Sequence, residues 1–121
     1  MDFKDTFSNS PTTLFELGEK TRQLIISLHP QIVETCHGGA TVKMASYSIG
    51  RPDNVVAVIS PGKDHCKLYL HHCDKIESSG IKLEGKGKHA KHVKLFSKED
   101  FDGEIFRPIL EQIVEIALRK I

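Results

Sequence analysis

The chain has 121 residues, 39% of them hydrophobic and 27% charged, and a formal net charge of +1 at pH 7. This length corresponds to one domain with a single hydrophobic core. The near-zero net charge argues against a dedicated nucleic-acid-binding domain, which would be strongly basic, so nucleic acid is not an expected partner.

Cysteine usage and hydropathy predict a cytoplasmic protein. The three cysteines, Cys36, Cys66 and Cys73, form no even-numbered disulfide framework and are interpreted as free thiols. The sequence shows neither an apolar N-terminal leader nor an apolar run of membrane-spanning length. No membrane partner is therefore expected.

Residues 1–10 are expected to form an N-terminal arm, and residues 11–121 a single domain. The arm is short and mostly polar, but it contains Phe3 and Phe7. These two aromatic side chains are expected to fix the arm to the core.

The first long helix is predicted from its capping residues and its apolar spacing. Ser10 followed by Pro11 is typical of a helix start, and apolar residues at helical spacing continue to Leu28. Pro30 ends this helix because a residue before proline is pushed out of the helical region. The same proline favours a new helix start, so a second short helix is predicted over residues 31–35.

The middle of the chain has the pattern of an antiparallel sheet. Runs of β-prone residues cover residues 41–49, 55–60 and 66–72, and a fourth strand is predicted over residues 92–96. The first three runs are separated by short turn-forming segments, which are typical of antiparallel neighbours. In the third run apolar residues alternate with a second set that points to the other face: Lys67, Tyr69, His71 and Cys73.

The predicted fold class is α+β, with an antiparallel sheet of four or more strands and the N- and C-terminal helices packed on one face as a two-layer sandwich. The last helix has an apolar stripe widened by Val114 and Leu118. This width predicts either a deeply packed helix or contact with another protomer. The opposite sheet face is expected to stay open to solvent, with Lys67, Tyr69 and His71 on it, beside His92 and Lys94.

Residues 80–96 form a lysine- and glycine-rich stretch that contains a single acid, Glu84. The spacing from Gly80 to Lys86 matches a phosphate-binding loop, but Gly87 stands where a magnesium-binding hydroxyl is needed and a strand follows instead of a helix. Nucleotide hydrolysis is therefore not predicted. A looser interpretation is an anion-binding loop, and a solvated basic loop is the alternative. The candidate anion-binding residues are Gly85, Lys86, Gly87, Lys88, Lys91 and Lys94.

A metal site is a further candidate. His71 and Cys73 are two residues apart on one predicted strand face, and His92 on a neighbouring strand would add a third ligand for zinc or iron. The closely spaced ligand pairs typical of structural zinc are absent from the sequence. A surface histidine and a strand-end thiol are the alternative interpretation.

Three segments together resemble a known family. They are residues 65–71 (HCKLYLH), 83–88 (LEGKGK) and 92–95 (HVKL). As a set they resemble the YdhG-like family of small domains of unknown function, over roughly residues 14–118. The resemblance implies a frataxin-like arrangement of two helices over an antiparallel sheet. One branch of that family is regarded as an intracellular iron chaperone, so the resemblance also implies iron handling as an alternative function.

The sequence predicts a non-enzymatic binding domain whose lysine-glycine loop and open sheet face bind an anionic small molecule or an acidic protein surface. No catalytic residue and no cofactor are predicted, because no thiol, histidine or carboxylate has neighbours that mark it for catalysis. Two alternatives stay open: a metal chaperone or carrier, and a domain that self-assembles as a homodimer through its last helix.

Overall fold

The structure is a computed structural model that describes residues 1–40 and 42–121. The helices are α1 Phe3–Thr6, α2 Thr12–Ser27 and α3 Gly103–Leu118. The strands are β1 Ile32–Gly38, β2 Lys43–Ile49, β3 Val55–Pro61, β4 Cys66–Leu70 and β5 Lys91–Leu95. Single turns of 3-10 helix cover Cys73–Lys75 and Lys98–Asp100.

The five strands form one antiparallel sheet in the order β1-β2-β3-β4-β5, so each strand pairs with its neighbour in sequence. Both long helices pack on the same sheet face. Leu17 and Ile25 of α2 and Ile113 of α3 are fully buried there with Tyr47 and Leu70 of the sheet. The predicted α+β class, with helices on one side of an antiparallel sheet, is confirmed.

The predicted short helix over residues 31–35 is wrong, because this segment belongs to β1. Pro30 favours a helix start, but the β-branched Ile32, Val33 and Thr35 favour a strand. Pairing with β2 extends over all residues of β1, from Ile32 opposite Ile49 to Gly38 opposite Lys43. The long-range pairing therefore prevails over the local helix signal.

The other predicted strands occur with altered ends. The strand predicted over residues 41–49 corresponds to β2, and Thr41 lies outside the described residues. The strand predicted over residues 66–72 ends earlier, at Leu70, because His72 adopts a left-handed φ of 59° before the turn Cys73–Lys75. The strand predicted near residues 92–96 is β5.

The N-terminal arm packs on the core through its aromatic side chains. Phe3 and Phe7 are buried, and their rings lie 6.3 Å and 5.9 Å, respectively, from the ring of Phe15 in α2. Gly18 of α2 makes room for this packing, because a Cβ at that position would lie 2.3 Å from Cζ of Phe7. A glycine inside a helix thus allows the arm to dock.

The wide apolar face of α3 is used within the chain. Val114 is buried and Leu118 is partly buried against the core, which supports the prediction of a deeply packed helix. The homodimer through α3 stays a prediction. Within the described residues, no helix combines the length and the apolarity that a membrane crossing requires.

Candidate ligand-binding site on the open sheet face

The sheet face turned away from α2 and α3, which we call the open face, brings together side chains of β4 and β5. The antiparallel register places Lys67 opposite Lys94 and Tyr69 opposite His92. The ring centroids of Tyr69 and His92 lie 5.2 Å apart. Two neighbouring lysines therefore lie beside a pair of rings. The third residue predicted here, His71, follows the end of β4.

An open pocket of about 400 Å³ includes Lys67 and Tyr69 in its lining. The remaining lining residues are Val42, Ser60, Pro61, Gly62 and His65. The His65 ring lies 5.5 Å from the ring of Phe96, which is 54% exposed. The pocket thus combines rings with a hydroxyl and a cation, the mixture found in small-molecule sites.

Glu84 extends the sheet beyond β5, which the sequence analysis did not predict. The backbone of Glu84 exchanges two hydrogen bonds of 2.8 Å with the backbone of His92. Its carboxylate Oε2 lies 3.7 Å from Nε2 of His92 and 3.6 Å from Nζ of Lys94. The one acid of the basic stretch therefore offsets part of the positive charge on the open face. The chain reversal at Gly85, with a φ of 119°, makes this pairing feasible.

His92 is held as a neutral ring at this site. Its side chain is 13% exposed, and burial lowers its pKa, with the positive charges of Lys67 and Lys94 acting in the same direction. The carboxylate of Glu84 opposes this shift without reversing it. At pH 7 His92 therefore presents an aromatic surface and neutral ring nitrogens rather than a third cation.

The predicted anion-binding residues do not form one cluster. Lys94 lies beside Lys67, whereas the exposed Lys86 and Lys88 lie in the loop before β5, near the end of β4 at Leu70. That loop is fixed to the turn after β4, where the backbone N–H of Cys73 donates to the carbonyl of His89 at 2.8 Å. Gly87 allows a tight approach, because a Cβ there would lie 2.6 Å from the carbonyl oxygen of Ala90.

The metal-ligand candidates His71, Cys73 and His92 lack the arrangement that was predicted. His71 and Cys73 do not share a strand face, because β4 ends at Leu70 and Cys73 lies in the following turn. The thiol of Cys73 donates instead to the Leu70 carbonyl at 2.9 Å. Residues 1–40 and 42–121 contain no group of three or more histidine, cysteine or acidic side chains arranged to hold a metal ion. The geometric basis of that metal site is therefore wrong.

The three thiols are in environments that disfavour the thiolate. Burial raises the pKa of Cys66 to about 12, and burial is also the largest cause of the raised pKa values of Cys36 and Cys73. Nucleophilic cysteines need a lowered pKa. These environments give no support to cysteine catalysis.

A polar cluster on the helix-covered face was missed by the sequence analysis. Nε and Nη2 of Arg22 donate to the two carboxylate oxygens of Glu34 at 2.5 Å and 3.1 Å, and the hydroxyl of Tyr47 donates to Oε2 of Glu34 at 2.7 Å. Tyr47 is fully buried, and its burial raises the pKa of the phenol above the ordinary value of 10. The cluster joins α2 to β1 and β2 and lies on the face opposite the candidate site.

A second open pocket, of about 390 Å³, lies beside the C-terminal part of α3. It is lined by Lys75, Gln112, Glu115, Ile116, Arg119 and Lys120. Arg119 is engaged with Glu115 at 3.1 Å. No aromatic residue is among the described lining residues, so this pocket offers cations without rings and provides a matched control for the open face.

Comparison with protein-family models, with curated proteins and with solved structures found no match to this chain. The resemblance to the YdhG-like family therefore stays a prediction.

Proposed function

We propose that this protein is a non-enzymatic binding domain whose open face takes a small anion carrying a planar group. Lys67 and Lys94 would bind the anionic group, and the rings of Tyr69 and His92 would contact the planar part. The pocket of about 400 Å³ is lined by Lys67 and Tyr69, and Lys94 and His92 lie opposite these two residues on β5. Its volume is in the range of small-molecule sites and favours a small ligand over an acidic protein surface.

The direct opposition of Lys67 and Lys94 across β4 and β5 carries this proposal. Like charges directly opposite each other in a sheet destabilise it. Glu84 offsets the charge of Lys94, whereas Lys67 forms no salt bridge in the described part of the chain. A bound anion would supply the missing negative charge.

The ring pair supports a ligand with an apolar part rather than a bare inorganic anion. Tyr69 and His92 lie at 5.2 Å with an interplanar angle of 51°, and the neutral state of His92 removes a desolvation cost from this surface. A planar group bound here would gain contacts that a simple anion lacks.

The exposed Lys86 and Lys88 have a secondary part in this proposal. They lie near the opposite end of β4 from the pocket and would act by long-range attraction. Interactions between exposed charges beyond about 8–10 Å are screened at physiological salt. Lys86→Gln with Lys88→Gln should therefore weaken binding at low salt and have little effect at physiological salt.

Phenyl phosphate is a suitable probe, because it joins an anion to one ring. The double variant Lys67→Gln/Lys94→Gln should raise the Kd measured by calorimetry at least about tenfold, the equivalent of one good charged contact. Lys75→Gln/Lys120→Gln makes the same charge change at the second pocket and should leave the Kd unchanged. Equal weakening by both double variants, or no binding by the parent protein, would refute the proposal.

A further inference from the structure

The strand β1 forms one edge of the sheet, and it is regular along its whole length. It has seven residues, and its register with β2 runs without a shift from Ile32 opposite Ile49 to Gly38 opposite Lys43. An edge strand presents a row of backbone groups that a further strand can pair with. A long, regular edge offers the most complete row.

The hairpin geometry shows which backbone groups of β1 point outward. The N–H of Gly39 donates to the carbonyl of Val42 at 2.8 Å, and hydrogen-bonded residues alternate along an antiparallel pair. His37, Thr35 and Val33 therefore bond to β2. The backbone N–H and C=O groups of the residues between them point away from β2. These residues are Ile32, Glu34, Cys36 and Gly38. In agreement, the N–H of Ile32 donates to the His29 carbonyl, outside the sheet.

The two edges of the sheet differ in whether their outward backbone groups have hydrogen-bond partners. At β5 one position of the edge is covered, because Glu84 pairs with the backbone of His92. At β1 the outward N–H groups of Glu34 and Cys36 have no hydrogen-bond partner within the residues that the structure describes. The strand also lacks the lysine, proline or bulge that commonly protects an edge. Its single charged side chain, Glu34, is already bound by Arg22 and Tyr47.

We propose that a second copy of this chain pairs with β1, antiparallel, about a two-fold axis at Thr35. This register places Thr35 opposite Thr35, Glu34 opposite Cys36 and Val33 opposite His37 of the second copy. The outward backbone groups of the two copies then face one another. Glu34 of each copy exchanges two backbone hydrogen bonds with Cys36 of the other copy, once on either side of the axis.

The side chains fit this register better than the neighbouring one in which Glu34 opposes Glu34. A shift of two residues along the partner would place Glu34 opposite Glu34, and like charges in that position are destabilising. In the register about Thr35 no two charges of the same sign oppose each other. Val33, which is 56% exposed in the single chain, is covered in part by the second copy. The net charge of +1 per chain gives little repulsion between copies.

The pairing joins two sheets into one of ten strands. A two-fold axis perpendicular to an antiparallel sheet keeps equivalent faces on the same side, so the open faces of both copies form one continuous surface. This interface is independent of the anion site, because β1 and β4 are separated by β2 and β3.

Light scattering at increasing protein concentration tests the association. The parent chain should reach twice the monomer mass of 13.6 kDa. Thr35 is exposed, so Thr35→Lys should fold normally, place two lysines against each other on the axis and give a monomer. Thr35→Val, which keeps the strand apolar and β-branched, should remain dimeric. A monomeric parent, or a Thr35→Lys variant that stays dimeric, overturns the proposal.

Cysteine cross-linking tests the register itself. In a Cys36→Ser background, Thr35→Cys should give a disulfide-linked dimer on mild oxidation, because the two Cα atoms would lie about 4.5 Å apart, within disulfide range. Val33→Cys in the same background should give none, since Val33 opposes His37. Cross-linking of Val33→Cys in preference to Thr35→Cys would contradict the register.

Discussion

The carboxylate of Glu34 is the residue-scale feature that most clearly joins separate elements. It accepts hydrogen bonds from Arg22 in α2 and Tyr47 in β2, and both carboxylate oxygens are used. A fully buried phenol needs an acceptor, since an unpartnered buried hydroxyl is costly. Sequence reasoning missed this cluster because it placed Glu34 in a helix, where its side chain has no reason to meet Tyr47.

Removal of the Tyr47 hydroxyl tests this cluster. Tyr47→Phe keeps the ring but removes the donor to an ionised acceptor, so it should lower the free energy of unfolding by about 1.5–3 kcal/mol. Tyr69→Phe is the control on the open face and should change stability by less than about 0.5 kcal/mol. Urea denaturation of both variants provides the measurement. A Tyr47→Phe variant as stable as Tyr69→Phe would contradict the proposed role of the cluster.

Two histidines that follow β4 and one in β5 predict how stability depends on pH. Burial lowers the pKa values of His71, His72 and His92 in the folded chain. Below the ordinary histidine pKa of about 6.5, the unfolded chain therefore binds more protons than the folded chain. Stability should fall as the pH is lowered from 7.5 through this range.

The free energy of unfolding, measured at several pH values, tests this linkage. His71→Gln removes one of the shifted groups, so the fall in stability between pH 7.5 and 5.5 should be smaller than in the parent. His37→Gln, which changes an exposed histidine, is the control variant. If His37→Gln flattens the pH profile of stability more than His71→Gln does, burial of His71 is not the cause of the fall in stability.

At the scale of elements, strong local sequence signals predicted helices and turns correctly. Long-range strand pairing could not be predicted from them. The start of α2 near Pro11, the turns between strands and the apolar stripe of α3 are local features, and the structure contains all of them. The strand β1 exists because it pairs with β2, and its local sequence after Pro30 also suits a helix. The bridge at Glu84 depends on a chain reversal that composition alone does not reveal.

At the same scale, docking of the N-terminal arm on α2 depends on the space that Gly18 leaves for the ring of Phe7. Gly18→Ala would improve helix propensity by about 1 kcal/mol but would place a Cβ against the buried ring of Phe7. Overpacking of this kind costs about 1–3 kcal/mol, so a net loss of stability is expected. Gly103→Ala, at the start of α3 with no atom within 4 Å of the added Cβ, is the control and should cause no loss.

Urea denaturation of the two alanine variants measures this difference. Phe7→Ala should also cost less in the Gly18→Ala background than in the parent, because the arm is already displaced there. If Gly18→Ala is as stable as Gly103→Ala, the arm does not depend on the space at Gly18.

At the scale of the whole molecule, the sheet separates the hydrophobic core from the face on which we propose that the ligand binds. One face is covered by α2 and α3 and contains the core, whereas the other carries Lys67, Tyr69, His92 and Lys94. Alternation along β4 predicted that Lys67 and Tyr69 share the open face, but it did not predict that the strand ends at Leu70 and leaves Cys73 in the following turn. It did not predict that Lys86 and Lys88 lie away from the pocket, because the path of a glycine-rich loop depends on contacts such as that between Cys73 and His89.

Nuclear Overhauser measurements with phenyl phosphate test the open face most directly. Intermolecular contacts are expected between the phenyl protons and the ring protons of Tyr69 and His92, with accompanying shifts at Lys67 and Lys94. These contacts should disappear in Lys67→Gln/Lys94→Gln and persist in Lys75→Gln/Lys120→Gln. Contacts confined to the second pocket or to the loop of Lys86 and Lys88 would contradict ligand binding on the open face.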